Sequence, residues 1–280
     1  MLKNTFLHIP GICTRLEQHL WNSGVHSWDA FMEMHTIPLP QKEISSSKGY
    51  VKQSFKHLEN NNPNFFAELL VSNQHWRLFP DFRHSIAYLD IETTGLGRSG
   101  DYITTISLYD GKSIFYYING DNLEDFKEDI KKYKVIVTYN GKCFDIPFIE
   151  NYLKIRMNHT HIDLRYLLKS LGYTGGLKGC ERQLGIDRNE LEGVNGYFAV
   201  LLWNDYEENK NLKALETFLA YNIQDVVNLE TLMVISYNLK LNDTPFPHRH
   251  QLPLPSSPQE IPFKADMETI ERIKNTYTYK

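Results

Sequence analysis

The sequence predicts an α/β fold: a mixed β-sheet flanked by helices, with a small helical N-terminal extension and an extended, proline-rich C-terminal tail. Three observations predict it. β-Branched and aromatic runs broken by Gly and Asp crowd residues 85–117, the punctuation of neighbouring strands. KVIVTY (134–139) reads as a short, fully buried strand. From Asp145 onward helical patterns dominate, the longest spanning about 212–239.

Taken in order, residues 1–35 read as a helical unit in which His8-Ile9-Pro10-Gly11-Ile12 leads into Leu16, Leu20 and Trp21 at helical spacing. Residues 36–50 (TIPLPQKEISSSKGY) are rich in Pro and Ser and read as a connector. Helical stretches follow around Val51–Leu58 and, after the loop signal Asn60-Asn61-Asn62-Pro63, over Asn64–Leu70, so the extension is assigned to 1–82. The main domain, 83–242, opens with SIAYLDIE, DYITTISLYDG and KSIFYYING as three strands. Asn122–Tyr133 reads as an amphipathic helix, KVIVTY as the next strand, and the long helix carries Leu212, Leu215, Leu219, Val226, Leu229 and Met233 on its apolar stripe. The order β-β-β-α-β-α calls for a mixed sheet covered by helices. The tail, 243–280, opens with five prolines in sixteen residues and reads as an extended strap closed by a short helix near Met267–Lys274.

Composition excludes several classes. Of 280 residues, 41% are hydrophobic and 13% aromatic, against wholesale disorder. No apolar stretch is long enough to span a bilayer, and the N-terminus lacks the apolar block of a secretory signal. Cys13, Cys143 and Cys180 are widely spaced, odd in number and outside any CxxC pattern, which argues against a disulfide scaffold or zinc ribbon and for a reducing cytoplasm. The net charge of −4 excludes nucleic-acid binding by bulk positive charge, so any phosphate must be held by a local patch or a metal.

The chemistry concentrates in acidic residues at three places. Asp90 and Glu92, two apart on a strand, point the same way, either as a solvated strand end or as paired ligands. The turn Thr93-Thr94-Gly95-Leu96 follows, with Gly95 free to take positive φ. Asp145, in NGKCFDIP, either caps a helix or adds a third ligand at the sheet edge. Tyr221 and Asp225, four apart, stack on one face of the long helix beside its apolar stripe, where an Asp is costly unless it is paired, metal-bound or reaches solvent. Four converging carboxylates resist ionising together without a cation, and hard oxygen donors call for Mg²⁺ or Mn²⁺. Two such ions about 3.5–4 Å apart can activate a water and stabilise the leaving oxygen of a phosphodiester, with Tyr221 placed to orient that water.

These motifs carry a resemblance. LDIETTGL, TYNGKCFDIPFIE and YNIQDVVNL resemble, in order, the three motifs of the DEDD 3′–5′ exonuclease superfamily of the ribonuclease H-like fold, and the Tyr-x-x-x-Asp spacing is similar to its DEDDy branch. WRLFPDFR ahead of AYLDIETTGL, with TYNGKCFDIPFI and HIDLRYLLKSLG, most resembles the YprB-type ribonuclease H-like domain family. The resemblance covers roughly residues 75–240 and implies that Asp90, Glu92, Asp145 and Asp225 are metal ligands and that Tyr221 positions or deprotonates the attacking water. It further implies that Thr93, Thr94 and Leu96 contact the terminal nucleotide, Leu96 wedged against a base, and that Asn140 touches the backbone of a single-stranded 3′ end of DNA or RNA. Lys142, Lys178 and Arg182 are candidate phosphate contacts or simply solvated cations.

Other signals are weaker. His8–Cys13, Glu17, Leu20 and Gly24-Val25 resemble half of a helix-hairpin-helix, which holds phosphate on backbone amides, although Cys13 replaces its usual second glycine. His159, His161 and Asp163 read as a strand leading into a helix cap rather than a metal site, and His248-Arg249-His250 as solvated. Glu92 fits poorly as the second acid of a phosphatase aspartyl loop. The expected function is a metal-dependent 3′–5′ exonuclease, with a catalytically silent nucleic-acid-binding scaffold or a structure-specific endonuclease as alternatives. The modest negative charge points to recruitment by a partner such as a helicase or repair factor. No oligomeric state follows.

Overall fold

The computed structural model describes residues 1–34, 37, 41–188, 191, 193–256 and 261–277. The chain opens with α1 (Thr14–Asn22), α2 (Trp28–Glu33), α3 (Gln41–Glu59), α4 (Pro63–Leu69) and the single turn α5 (Phe79–Phe82). Three strands follow, β1 (Ile86–Thr93), β2 (Ile103–Tyr109) and β3 (Ile114–Ile118), then the short α6 (Phe126–Asp129), β4 (Val135–Thr138), α7 (Asp145–Leu153) and β5 (Thr160–Asp163). Helices α8 (Leu164–Ser170), α9 (Gly176–Gln183), α10 (Gly196–Asn209), α11 (Leu212–Leu241) and α12 (Met267–Tyr277) complete it.

The sheet runs β3-β2-β1-β4-β5, antiparallel from β1 through β3 and parallel from β1 through β5. Both faces are covered, as a sheet with parallel strands requires. On one face, Tyr88 and Tyr109 pack with Ile223, Leu229, Met233 and Tyr237 of α11 and, continuously, with Leu2, Phe6 and Trp28 of the N-terminal segment. On the other, Ala87, Leu89 and Ile91 of β1 pack with Phe126 and with Ile149 of α7. The N-terminal helices therefore share a core with the sheet. Arg77 and Glu17 form a buried pair at 2.9 Å. The tail returns to the same core, with Phe246 edge-on to Trp21 and Arg272 of α12 pairing Asp205 of α10.

Most predicted elements appear, with four corrections. The connector assigned to 36–50 is helical from Gln41 (36 and 38–40 lie outside the described residues), because Ile44, Val51, Phe55 and Leu58 recur at helical spacing and pack on the core, which outweighs the weak propensity of three serines and Gly49. Asn122–Tyr133 is not one helix: 3₁₀ turns flank α6. Asp145 starts α7 as its first residue, without capping it, because its carboxylate is engaged elsewhere. In the turn after β1 it is Gly97, at φ +90°, that takes the left-handed conformation. A Cβ on Gly95 would instead meet the Asp101 carboxylate at 2.4 Å, a group that accepts the Gly97 and Arg98 amides.

The strand and cap read at 159–163 are present: His161 meets Thr138 Oγ1 at 2.9 Å, and Asp163 caps α8 through the Arg165 amide. In the helix-hairpin-helix-like segment Gly11 is left-handed and exposed, while Glu17 accepts the Phe6 amide at 2.7 Å and His8 pairs Ser54 in the core. No helix among the described residues is long and apolar enough to cross a membrane.

Candidate active site

β1 sets the site. Ile86 and Tyr88 face the α11 side of the sheet, and Ala87, Leu89 and Ile91 the other. The alternation continues, so Asp90 and Glu92 face α11. Asp225 on α11 meets them: one carboxylate oxygen from each of Asp90, Glu92 and Asp225 lies within 4.8 Å of the others. Asp145 stands just outside that group. Its Oδ1 accepts the N–H of Ile91, the residue between the first two acids, at 3.2 Å. Three of the four predicted ligands thus converge, and the fourth rests on the strand that carries two of them.

Electrostatics register the crowding. Burial, and then the charges of Asp145, Asp225 and Glu92, push the Asp90 carboxyl well above its usual range. Burial and Asp225 do the same to Glu92. Burial raises Asp145 to about 7 and Asp225 also rises, against the pull of Arg188. Such a set is costly to ionise on its own and is relieved by a cation. The donor set fits a hard divalent ion: all donors are carboxylate oxygens, and beside them the buried amide oxygen of Asn222 has no partner among the described residues while its nitrogen donates to Asp90 Oδ2 at 2.6 Å.

Tyr221 is buried one turn before Asp225, with Lys178 Nζ 4.4 Å from its ring centre and Arg188 Cζ at 5.9 Å. Burial and the nearby carboxylates raise its phenol far above the ordinary value.

Sequence reasoning missed the residues behind the triad. Arg188, buried, gives Nε and Nη2 to Glu181 at 2.5 and 3.0 Å and also pairs with Asp225 Oδ1. Its Nη1 has no partner among the described residues. Glu181 is itself buried and accepts from Asn228 at 2.8 Å. One signal was available: Asn222, Asp225 and Asn228 recur every third residue on α11, a polar row inside an apolar helix. The seven-residue separation of Glu181 and Arg188 offered none.

The expected substrate contacts fare unevenly. The Thr93 hydroxyl donates to Gly95 O at 2.6 Å and that of Thr94 accepts the Tyr102 amide at 3.0 Å, so both shape the loop. Leu96 is 84% exposed, beside a cavity of about 220 Å³ walled by Phe144, Pro147 and Phe148. Asn140 sits at φ +70° with its side chain accepting from Arg165. Lys178 donates to Val194 O as well as capping the Tyr221 ring, and Lys142 lines a separate cavity with Trp76 and Asp163.

A mixed sheet whose first strand presents two carboxylates to Asp225 of α11 makes an α/β domain with three acids placed so that they could hold a metal ion. Comparison with known proteins gives it a family: the RNase_H superfamily model matches residues 87–237, just over half of the chain, and the chain belongs to that superfamily. Among solved structures it is similar to the family B DNA polymerase from the hyperthermophilic archaeon Pyrobaculum calidifontis, at 16% identity and a TM-score of 0.41, over 56% of this chain and 24% of that one. The chain thus spans about a quarter of that polymerase. No curated protein matches.

Proposed function

We propose that this chain is a metal-dependent nuclease, specifically a DEDDy-type 3′–5′ exonuclease resembling the YprB-type domains, acting on a single-stranded 3′ end of DNA or RNA. The observation that carries the reading is the meeting of Asp90, Glu92 and Asp225 within 4.8 Å in an RNase_H superfamily domain. Asp90, Glu92, Asp145 and Asp225 would hold two Mg²⁺ or Mn²⁺ ions. Bound there, the ions supply Lewis acidity at the phosphate and lower the pKa of water. Tyr221 orients the attacking water through its neutral phenol, and Leu96 stands ready against the terminal base. In-line attack leaves a 3′-hydroxyl on the shortened strand and releases a nucleoside 5′-monophosphate. Residues 83–242 form the catalytic unit in this reading, 1–82 a helical wall beside it and 243–280 a strap. The three free cysteines fit a reducing cytoplasm, and a helicase or repair factor fits the need for recruitment.

One observation favours a second reading, a catalytically silent nucleic-acid-binding scaffold: Arg188 already neutralises Asp225. Incubating the protein with end-labelled single-stranded and duplex DNA and RNA in Mg²⁺, Mn²⁺ or EDTA separates the readings. A metal-dependent ladder from the 3′ end supports the exonuclease and internal cuts an endonuclease. Binding without cleavage supports the scaffold.

A further inference from the structure

We propose that the cleft between α8 and the start of α9 is a binding track for single-stranded nucleic acid, carrying the strand that leads away from the acidic cluster. The inference rests on the nuclease reading and names the path of its substrate. The cleft holds about 500 Å³ and is lined by Tyr139, Asn140, Arg165, Lys169 and Tyr173.

Its position follows from the sheet. β1 and β4 are parallel, with Tyr88 paired to Val137 at the last matched position. Asp90 lies two residues beyond Tyr88 in β1, and Tyr139 directly follows the last residue of β4, so both stand at the same end of the sheet. Helix α9 links the two places: its Cys180 lies 3.8 Å from the Tyr139 hydroxyl, and its Lys178 reaches over the Tyr221 ring. A strand with its end at the carboxylates can run beside α9 to reach the cleft.

The chemistry suits such a strand. Arg165 and Lys169, four apart on α8, are exposed on one helical face and offer cations to phosphates. The partly exposed rings of Tyr139 and Tyr173 offer stacking surfaces to bases. This supplies the local basic patch that a chain of net charge −4 needs to hold a polyanion.

The cleft is also preformed. Asp163 Oδ1 accepts the amides of Asn140 at 2.8 Å and Arg165 at 3.0 Å, and Oδ2 that of Lys142 at 3.0 Å, so a single carboxylate fixes two of its edges. It thereby stabilises Asn140 in a left-handed conformation that a non-glycine residue rarely adopts. On the opposite lip Gly175 and Gly176 are consecutive left-handed residues, and a Cβ on Gly176 would meet nothing within 4 Å. Backbone conformation demands those glycines, and they leave the entrance without side chains. Stacking and charge dominate over groups that read base edges, so binding tolerates any sequence.

The test is fluorescence anisotropy with labelled oligo-dT and oligo-U of 2 to 12 nucleotides over a range of salt. It compares the full-length wild type with Lys169→Ala, Arg165→Ala and Tyr173→Ala, each checked by thermal melting. Wild-type affinity should climb with length. Each lost cation should flatten the slope of log K against log salt by about 0.7. Tyr173→Ala should weaken the longer oligomers by about 5- to 100-fold, from the loss of one stacked base. The dinucleotide should bind all four proteins alike. Wild-type affinity and salt slope in all three variants would overturn the track while leaving cleavage, and the nuclease reading, in place. A wild type that neither binds nor cuts any oligomer would overturn both. Since Lys169 is exposed, its variants fold whether or not the proposal holds.

Discussion

Replacing Asp145 by Asn should make the metal-free protein more stable at pH 8 and the metal-loaded protein inactive. Asp145 is buried, and burial moves its carboxyl from 3.8 to about 7. Below pH 3.8 the folded and unfolded chains both carry the proton, so this group adds no pH dependence. Between 3.8 and about 7 the unfolded chain releases the proton and the folded chain keeps it, so stability falls as pH rises and levels off above about 7. That interval spans roughly three pH steps at about 1.4 kcal/mol each, giving a loss of about 4 kcal/mol. The amide introduced by Asp145→Asn would carry no charge yet keep an oxygen for the Ile91 N–H, now 3.2 Å from Asp145 Oδ1, so the variant escapes the loss. In EDTA at pH 8, Asp145→Asn should therefore melt above the wild type, by roughly 8 °C or more at about 2 °C per kcal/mol for a chain of this size. The gap should close towards pH 4. Saturating Mg²⁺ or Mn²⁺ should narrow the gap at pH 8, since an ion at a hundred times its Kd stabilises the wild type by about 2.7 kcal/mol against the loss of about 4 kcal/mol. Melting curves at pH 4, 5, 6, 7 and 8, with EDTA or metal, read all of this. A variant destabilised equally at pH 5 and pH 8, and indifferent to metal, would refute the reasoning and reduce Asp145 to a backbone anchor.

Other perturbations bear on the same site. Asp225→Ala should abolish turnover with the fold largely kept, as judged by circular dichroism beside a cleavage assay; full, EDTA-sensitive activity would remove Asp225 from the ligand set. Tyr221→Phe should lower kcat by about 100-fold, less than loss of a ligand, with metal affinity by calorimetry unchanged. Glu181→Gln breaks a buried ion pair with Arg188 and should cost about 3 kcal/mol in urea unfolding, and an unchanged midpoint would show that the pair is not structural.

Much of this molecule was legible in the sequence wherever a local period carried the information. The strands around Asp90, the long helix bearing Asp225 and the cap at Asp163 each announce themselves by alternation, helical spacing or punctuation. Residues 41–50 misled, because serine and glycine speak for a loop until Ile44 and Val51 find a core to bury against. Gly95 misled too: its lack of a side chain makes room for Asp101 and has nothing to do with φ.

By itself, then, the sequence determined which acids lie on one strand face and which Asp accompanies Tyr221 on a helix, since a two-residue and a four-residue repeat fix those directions. Tertiary structure alone decided that three of the acids meet while Asp145 turns to the Ile91 amide, and that Arg188, backed by Glu181 and Asn228, stands against Asp225. The physical reason is distance along the chain: contacts between β1, α9 and α11 are set by how the sheet and helices pack, and no local repeat encodes where two remote side chains come to rest.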